Sequence, residues 1–425
     1  MRACTTTTSC GWSQRSRRGD GMAELAAHRR LTISDKEEHD RYHRQSLITW
    51  WDQERLRRAS VLVVGAGALG NELVKNLALI GVGRIVVCDM DRVENSNLAR
   101  CVFFRAGDEG ELKAEVLARR AAEVNPDVEI IPLVGDVRVS AGLALFREVD
   151  VVLGGLDSRE ARMFVNQACW KTSTSWIDGA IEGLMGIVRV FVPPEGACYE
   201  CTMSERDHEL VAARRTCALL SRDEMLAGKV PTTATTGAVV AAIQVQEAVK
   251  LLHEDRLGAP VLTGGGFQFV GLTHESYVVR YARRDDCYAH DTYELESANV
   301  VAANVNFGEL LELARRELGP EAILDLEREV ALCGECTRCG YRGDVMRPVD
   351  GLSSSDGLCP ACSKEWRLTF THTVDDASPL AGCCAADLGF PLGDVVVGRA
   401  GFERRFFLLT GSRSAFDLLQ EPVRA

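Results

Sequence analysis

The chain has 425 residues, of which 46% are hydrophobic and 26% charged, an ordinary composition for a globular protein with room for two domains. Its formal net charge of −12 and pI near 5.3 argue against nucleic acid as the main partner. No apolar run approaches the roughly twenty residues of a membrane-spanning helix, and the N-terminus lacks the apolar core of a secretion signal. The expectation is a cytoplasmic protein with no membrane partner.

The composition and the hydrophobic periodicity of the chain predict three segments. Residues 1–37 are rich in Thr, Ser and Arg and are predicted to be a disordered tail. From 38 to 291, strand and helix patterns alternate, which predicts an α/β domain with a doubly wound, mainly parallel, Rossmann-like sheet. Residues 292–425 are predicted to form a smaller α+β module, with a helix over Phe307–Leu318 and a cysteine-rich insert at 333–362.

A predicted strand beginning at Val61 leads into a glycine-rich turn. The glycines of its G-x-G-x-x-G pattern are Gly65, Gly67 and Gly70. A helix pattern follows, and a second strand, Ile85–Cys88, then delivers Asp89. Glycines allow a tight turn and a close approach to phosphate, and an acid about twenty residues later suits a ribose hydroxyl. The segment therefore predicts a nucleotide site, although a nicotinamide oxidoreductase would show the same residues.

A polar run after the second strand indicates which kind of nucleotide chemistry the site supports. Its residues of interest are Asp91, Asn97, Arg100 and, in the next element, Lys113. Ligands of doubly wound sheets bind at the carboxyl ends of the strands, which is where this run begins. Asn97 and Arg100 lie one turn apart if the segment is helical. An amide, an arginine and a lysine around one triphosphate would stabilise the charge that builds up during transfer, which favours phosphate chemistry over passive cofactor binding.

Several motifs in a fixed order resemble those of the ubiquitin-activating enzyme superfamily, which includes the bacterial adenylyltransferases of thiamin and molybdopterin synthesis. The run that ends at Arg100 is similar to the family's D-x-V-x-x-S-N-L-x-R. Arg41–Gln45 resembles its R-Y-x-R-Q, and Asp157–Arg162 resembles its D-N-x-x-x-R. Gln244–Lys250 matches Q-x-x-E-A-x-K. The resemblance extends from about residue 41 to 290 and identifies this segment as an ATP-binding adenylation domain.

The resemblance implies adenylation of the C-terminal glycine of a ubiquitin-like protein, with ATP as co-substrate and magnesium as the metal. It assigns Asp89 to the ribose and Asp157 to magnesium. The residues it assigns to the phosphates are Arg44, Asn97, Arg100 and Lys113. In the family, the arginine at the position of Arg44 reaches the ATP of the neighbouring subunit, so a homodimer is expected. Cys101 and Ser158 replace a glutamine and an asparagine that the family usually has, and neither change removes a charge.

The 16 cysteines do not indicate a disulfide framework, because many stand in Cys-x-x-Cys pairs in a long chain without a secretion signal. The first predicted zinc site follows from the family resemblance and consists of Cys198, Cys201, Cys287 and His290. The second has the spacing of a zinc ribbon and consists of Cys336, Cys339, Cys359 and Cys362. Cys333 is an alternative partner for Cys336. A ribbon either binds a partner or braces a small domain, and both roles stay open.

Cys217 is the candidate nucleophile. It is the single cysteine between Cys201 and Cys287, and Arg214–Arg215 just upstream would favour its thiolate. The thioester-forming cysteine of the family lies in the same crossover, although Ala218 stands here where threonine is common. The thioester would pass to a conjugating enzyme, recruited by a ubiquitin-like fold in the C-terminal module. The alternatives are a sulfur-carrier adenylyltransferase, a non-catalytic zinc-bearing scaffold and a purely structural cysteine at this position.

Overall fold

The computed structural model describes residues 40–209, 231–258, 260–410, 414 and 417. The chain divides into two compact units, Met1–Thr49 and Trp50–Ala425. In the smaller unit, the described residues include one short helix, α1 (His43–Ser46). The predicted tail and the candidate nucleophile Cys217 lie outside the described residues. No helix in the described ranges combines the length and the apolar composition needed to cross a bilayer.

An eight-stranded sheet organises the first part of the larger unit. Its strands are β1 (Ser60–Val64), β2 (Arg84–Asp89), β3 (Glu129–Val134), β4 (Val151–Gly154), β5 (Ser175–Glu182), β6 (Met185–Phe191), β7 (Gly265–Val270) and β8 (Glu275–Arg280). They lie in the order β3-β2-β1-β4-β5-β6-β7-β8, parallel from β3 to β5 and antiparallel from β5 to β8. The predicted Rossmann-like topology is present in β1–β5. The strands β1–β5 are parallel, as predicted, and β6–β8 make the sheet a mixed one, because the two residues between β5 and β6 are too few for a parallel crossover.

Helices cover both faces of this sheet. They are α2 (Gln53–Arg58), α3 (Ala68–Ile80), α4 (Lys113–Val124), α5 (Val137–Ser140), α6 (Leu143–Glu148), α7 (Arg159–Lys171), α8 (Ala234–Leu252) and α9 (Glu254–Leu257). Every residue of β1 is buried, as expected for a strand covered on both faces. Val61 and Val63 face a core shared with α3, α4 and α8, whereas Leu62 and Val64 face one shared with α6 and α7.

A second sheet follows in the C-terminal part, where the predicted helix is observed as α10 (Phe307–Leu318). Its strands are β9 (Asn299–Val301), β10 (Ile323–Glu335), β11 (Arg342–Pro348), β12 (Arg367–Val374), β13 (Val395–Ala400) and β14 (Glu403–Leu409). Their order is β11-β10-β13-β14-β9, and β12 also pairs with β10. The predicted boundary near residue 292 falls between the two sheets, and the division into separate domains stays a prediction.

The second sheet is joined to the first part of the unit by a buried interface. Val395 and Val397 of β13 belong to the core shared with α6 and α7, whereas Val396 between them packs in the core around α10. This alternation is the two-residue period of a strand buried on both faces. Arg328 and Asp394 form a buried ion pair, with 2.7 Å between Nε and Oδ2. The C-terminal module is therefore packed against the first sheet rather than only tethered to it.

Candidate functional site

Strand order brings three loops to one edge of the first sheet. β1 lies between its parallel neighbours β2 and β4, so the carboxyl ends of these three strands are adjacent. Gly65 and Asp157 lie in the loops after β1 and β4, and Asp89 is the last residue of β2. The order of the strands reverses at β1, and this is the position at which doubly wound sheets bind their ligands. We call this region the nucleotide edge.

The three glycines of the turn have different surroundings. Gly65 has a φ of +97°, and a Cβ there would lie 2.6 Å from the carbonyl oxygen of Gly155. A Cβ on Gly70 would lie 1.8 Å from the carbonyl oxygen of Gly65. Gly67, which directly precedes α3, would place a Cβ in space with no other atom within 4 Å. The fold requires two of these glycines, whereas the third leaves room for a ligand at the start of α3.

Asp89 is held rigidly between two backbone donors. Its Oδ2 accepts from the Ala66 amide at 2.6 Å and its Oδ1 accepts from the Asp91 amide at 2.7 Å. Burial raises the pKa of Asp89 above its usual value, although these donors and the charge of Lys113 oppose the shift. The second lone pair of each oxygen suits the hydroxyl groups of a ribose.

Lys113 opens α4 and points into the same edge. Its Nζ lies 2.7 Å from Oδ2 of Asp91, and only 9% of the residue is exposed. Burial alone would lower the pKa of Lys113, but the bond to Asp91 and the charge of Asp89 outweigh it, so the pKa is raised. The ammonium group therefore keeps its charge and is available to an anionic ligand.

Asn97 and Arg100 lie one turn apart, since the amides of Arg100 and Cys101 both donate to the carbonyl oxygen of Asn97 at 3.0 Å. The side chain of Asn97 uses its Oδ1 to accept from the Glu94 amide at 3.0 Å, which fixes the turn and leaves its Nδ2 group as the donor for a ligand. Nη1 of Arg100 donates to the carbonyl oxygen of Ser96 at 2.6 Å. Among the described residues, no carboxylate forms an ion pair with Arg100, so its charge is uncompensated there.

Two further residues, Asp157 and Arg44, are predicted to bind magnesium and the phosphates of ATP. Asp157 is exposed on the loop after β4, and the next residue, Ser158, caps α7 by accepting from the Ala161 amide at 3.1 Å. The replacement of asparagine by serine at this position thus keeps a helix cap. Arg44 lies in α1 of the smaller unit, and its contribution to a nucleotide site stays a prediction.

Sequence reasoning assigned no role to two buried residues that shape this edge. Asn71 donates from Nδ2 to the carbonyl oxygen of Ala66 at 2.8 Å, which ties the glycine turn to α3. Asp178 of β5 is fully buried and accepts from Nε of Arg162 at 2.9 Å and Nε of Arg189 at 3.0 Å. The one indication of such a role in the sequence was an acidic residue, Asp178, within an apolar segment. A buried acid is tolerated only when it is paired.

The structure brings the first predicted metal quartet together. The Sγ atom of Cys198 lies 3.7 Å from that of Cys201 and 3.6 Å from that of Cys287, and Sγ of Cys201 lies 3.3 Å from Nε2 of His290. Tetrahedral zinc with Zn–S bonds of about 2.3 Å separates its ligand atoms by roughly 3.8 Å, so the spacing fits this ion. The His290 ring stacks on Trp170 with 4.2 Å between centroids, which fixes its orientation.

The second quartet is equally compact. Its four sulfur atoms lie within 4.8 Å of one another, and the separations Cys336–Cys362 and Cys339–Cys359 are both 3.6 Å. The first pair lies in the turn between β10 and β11, and the second lies just before β12. Cys333, the alternative partner, lies within β10 and outside the quartet. Four thiolates with no open position are typical of a structural zinc site.

We expect purified protein to contain about two zinc ions per chain, because one quartet offers three sulfur donors and an imidazole and the other four sulfur donors, both at tetrahedral spacing. Cys362→Ser should lower the zinc content to about one ion, and Cys333→Ser should leave it unchanged. Elemental analysis after extensive dialysis measures both. Zinc-free protein, or an equal loss in both variants, would contradict the assignment.

Comparisons with known proteins find relatives of the first part of the chain. The sequence model of the ThiF family matches residues 39–289. Sulfur carrier protein adenylyltransferase of Thermus thermophilus is 41% identical over 174 residues, which are 39% of this chain and 64% of the relative, so the chain covers less than two thirds of it. SAMP-activating enzyme E1 of Haloferax volcanii is 34% identical over 267 residues, which are 60% of this chain and 91% of the relative. The MccB protein of E. coli, solved with ATP, is 22% identical with a TM-score of 0.49 over 60% of this chain and 75% of MccB. The family match confirms the superfamily that the motifs indicated: this chain belongs to the ThiF family.

Proposed function

We propose that the protein uses ATP to adenylate the C-terminal carboxylate of a ubiquitin-like or sulfur-carrier protein. The observation that carries the proposal is the uncompensated charge of Arg100 in the polar run that follows β2, in a chain that belongs to the ThiF family. Lys113 and the open space at Gly67 supply the further features that a triphosphate needs. The names of the relatives, an adenylyltransferase and an activating enzyme, support the same reaction class.

The proposed reaction joins two anions and so depends on positive charge. A carboxylate oxygen of the carrier attacks the α-phosphorus of ATP, the bond to the bridging oxygen breaks, and pyrophosphate leaves. The product is a mixed anhydride. Arg100 and Lys113 would neutralise the phosphates while Asp89 holds the ribose. Asp157 would hold magnesium, which prefers carboxylate oxygens, and Arg44 would act on the ATP of a second copy in a homodimer.

For the next step, we propose that the thiolate of Cys217 attacks the carbonyl carbon of the mixed anhydride, the bond to the phosphate oxygen breaks and AMP leaves. The resulting thioester of the carrier then passes to the thiol of a conjugating enzyme. Seven of the described cysteines belong to the two metal quartets. Cys88, Cys101 and Cys169 are buried, and burial raises the pKa of each thiol, that of Cys101 to about 11. The thiolate is the nucleophile, so these three are poor candidates. The Thermus relative favours a second candidate, in which an external sulfur donor takes the adenylate directly.

We expect the protein to catalyse ATP–pyrophosphate exchange that requires both a carrier protein and magnesium. On a non-reducing gel, the wild type should form a carrier adduct that dithiothreitol removes, and Cys217→Ala should abolish the adduct while exchange continues, because adenylation precedes thiol attack. The carriers to assay are small proteins with a C-terminal Gly-Gly.

Each outcome of these assays tests a different part of the proposal. A carrier that ends in alanine instead of glycine serves as the control for specific recognition. Exchange without any thiol adduct in the wild type would support the sulfur-carrier candidate. Exchange that persists after removal of magnesium would contradict the role of Asp157, and the absence of exchange with every carrier would contradict adenylation itself.

A further inference from the structure

The loop between the two cysteine pairs of the C-terminal quartet reaches the first sheet. This loop, which we call the ribbon loop, covers residues 340–358 and contains β11 and a turn of 3-10 helix at Val349–Gly351. The turn lies against α5 of the first sheet. Oδ1 of Asp350 lies 3.1 Å from Nη1 of Arg138, and a Cβ on Gly351 would lie 4.0 Å from Val139. A segment held by the metal quartet thus contacts a helix of the other sheet.

The contacted helix begins at the nucleotide edge. β3 ends next to β2, and the amide of Gly135 donates to the backbone carbonyl oxygen of Asp89 at 3.1 Å. Asp136 then caps α5 by accepting from the Arg138 amide at 2.9 Å, and Nη2 of Arg138 lies 2.6 Å from its Oδ2. One guanidinium group therefore links Asp136, in the loop beside Asp89, to Asp350 in the ribbon loop.

α5 also contacts the other side of the same edge. It packs against α7, whose first turn follows Asp157 directly. α5 thus follows the residue that bonds to the backbone of Asp89 and packs against the helix that follows Asp157, so a shift of this four-residue helix would act on elements next to both. A helix this short has little stability of its own, so its position depends on the tertiary contacts around it.

We infer that the cysteine-rich insert braces the nucleotide edge, with Asp350 as a positioning residue that acts on ATP through Arg138 and α5. The inference rests on the proposed use of ATP and addresses the role of the ribbon, which the sequence left open. Asp350 and Arg138 have 35% and 26% of their side chains exposed, so solvent partly screens the pair and its effect is modest. Loss of the Asp350 charge should weaken ATP binding about three- to fivefold.

The test compares Asp350→Asn with Asp376→Asn. Asp376 forms an ion pair with Arg315 of α10, on the face of the second sheet away from α5, at 2.6 Å. Both changes remove one carboxylate charge of the C-terminal module from an Arg–Asp pair. Isothermal titration with ATP should show the three- to fivefold weaker affinity only for Asp350→Asn, and Asp350→Glu should restore it. In exchange assays, the KM for ATP should rise while kcat stays close to that of the wild type.

Thermal denaturation distinguishes positioning from a general loss of stability. Equal ATP affinity in Asp350→Asn and the wild type would overturn the inference, and so would an equal loss in Asp376→Asn. A fall in kcat together with a lower Tm would make Asp350 merely structural and would also overturn it. A wild type that binds no ATP would instead contradict the proposed function.

Discussion

Arg100→Ala is expected to slow ATP–pyrophosphate exchange by about 10²- to 10³-fold, the effect of removing one donor to a developing charge in a shielded site. The substitution should affect the reaction rather than the fold. Within the described residues, the guanidinium has one backbone partner, the carbonyl oxygen of Ser96, and no carboxylate partner. Removing it leaves no buried acid without a partner. The free energy of unfolding should therefore change by less than about 0.5 kcal/mol. Exchange assays and thermal denaturation measure the two effects separately.

Arg92→Ala is the matched control. Nη1 of Arg92 donates to the carbonyl oxygen of Gly110 at 2.7 Å, so this arginine also has its guanidinium on a backbone oxygen, and it lies in the same polar run. Its removal changes the net charge by the same amount, and exchange should stay within about twofold of the wild type. Equal losses in the two variants would mean that overall charge governs the reaction. Full activity of Arg100→Ala would remove Arg100 from the site.

The parts of this site that could be predicted from the sequence are those encoded locally. A strand, a glycine turn and a helix follow one another without interruption, so Gly65, Asp89 and the turn with Arg100 could be placed before the fold was known. The Cys336–Cys362 quartet is local for the same reason, since its two pairs are close in sequence. The pairing of Cys198 with Cys287, 89 residues apart, could not come from spacing and depended on the family resemblance.

The features that could not be predicted depend on distant partners. β5 was missed because Asp178 interrupts its apolar pattern, and the acid is tolerated only through Arg162 and Arg189 from two other elements. The long helix α8 begins at Ala234, because Thr233 caps it and turns a polar stretch into its first turn. β10 was also missed, since the charged run Glu327–Glu329 interrupts its apolar pattern and its 13 residues pair with three other strands. Local propensity carries no information about such partners.

The second and third glycines of the nucleotide turn, Gly67 and Gly70, should have opposite effects when each is replaced by alanine. Gly67→Ala should lower the affinity for ATP more than tenfold, because its Cβ would enter the space that phosphates occupy in such turns. Its φ of −75° suits alanine, and the loss of a glycine at the helix start should cost only about 1 kcal/mol. Gly70→Ala should instead destabilise the fold by about 3 kcal/mol or more, because its Cβ would overlap the backbone oxygen of Gly65.

Urea denaturation and ATP titration of both variants separate binding from folding. Gly107→Ala is a suitable control, since a Cβ there would also meet no atom within 4 Å, but Gly107 lies outside the glycine turn. If Gly67→Ala and Gly107→Ala bound ATP equally well, the triphosphate would not lie on the turn before α3. The assignment of Arg100 and Lys113 to its phosphates would then fail as well, because the proposal gathers the glycine turn, Arg100 and Lys113 around one triphosphate.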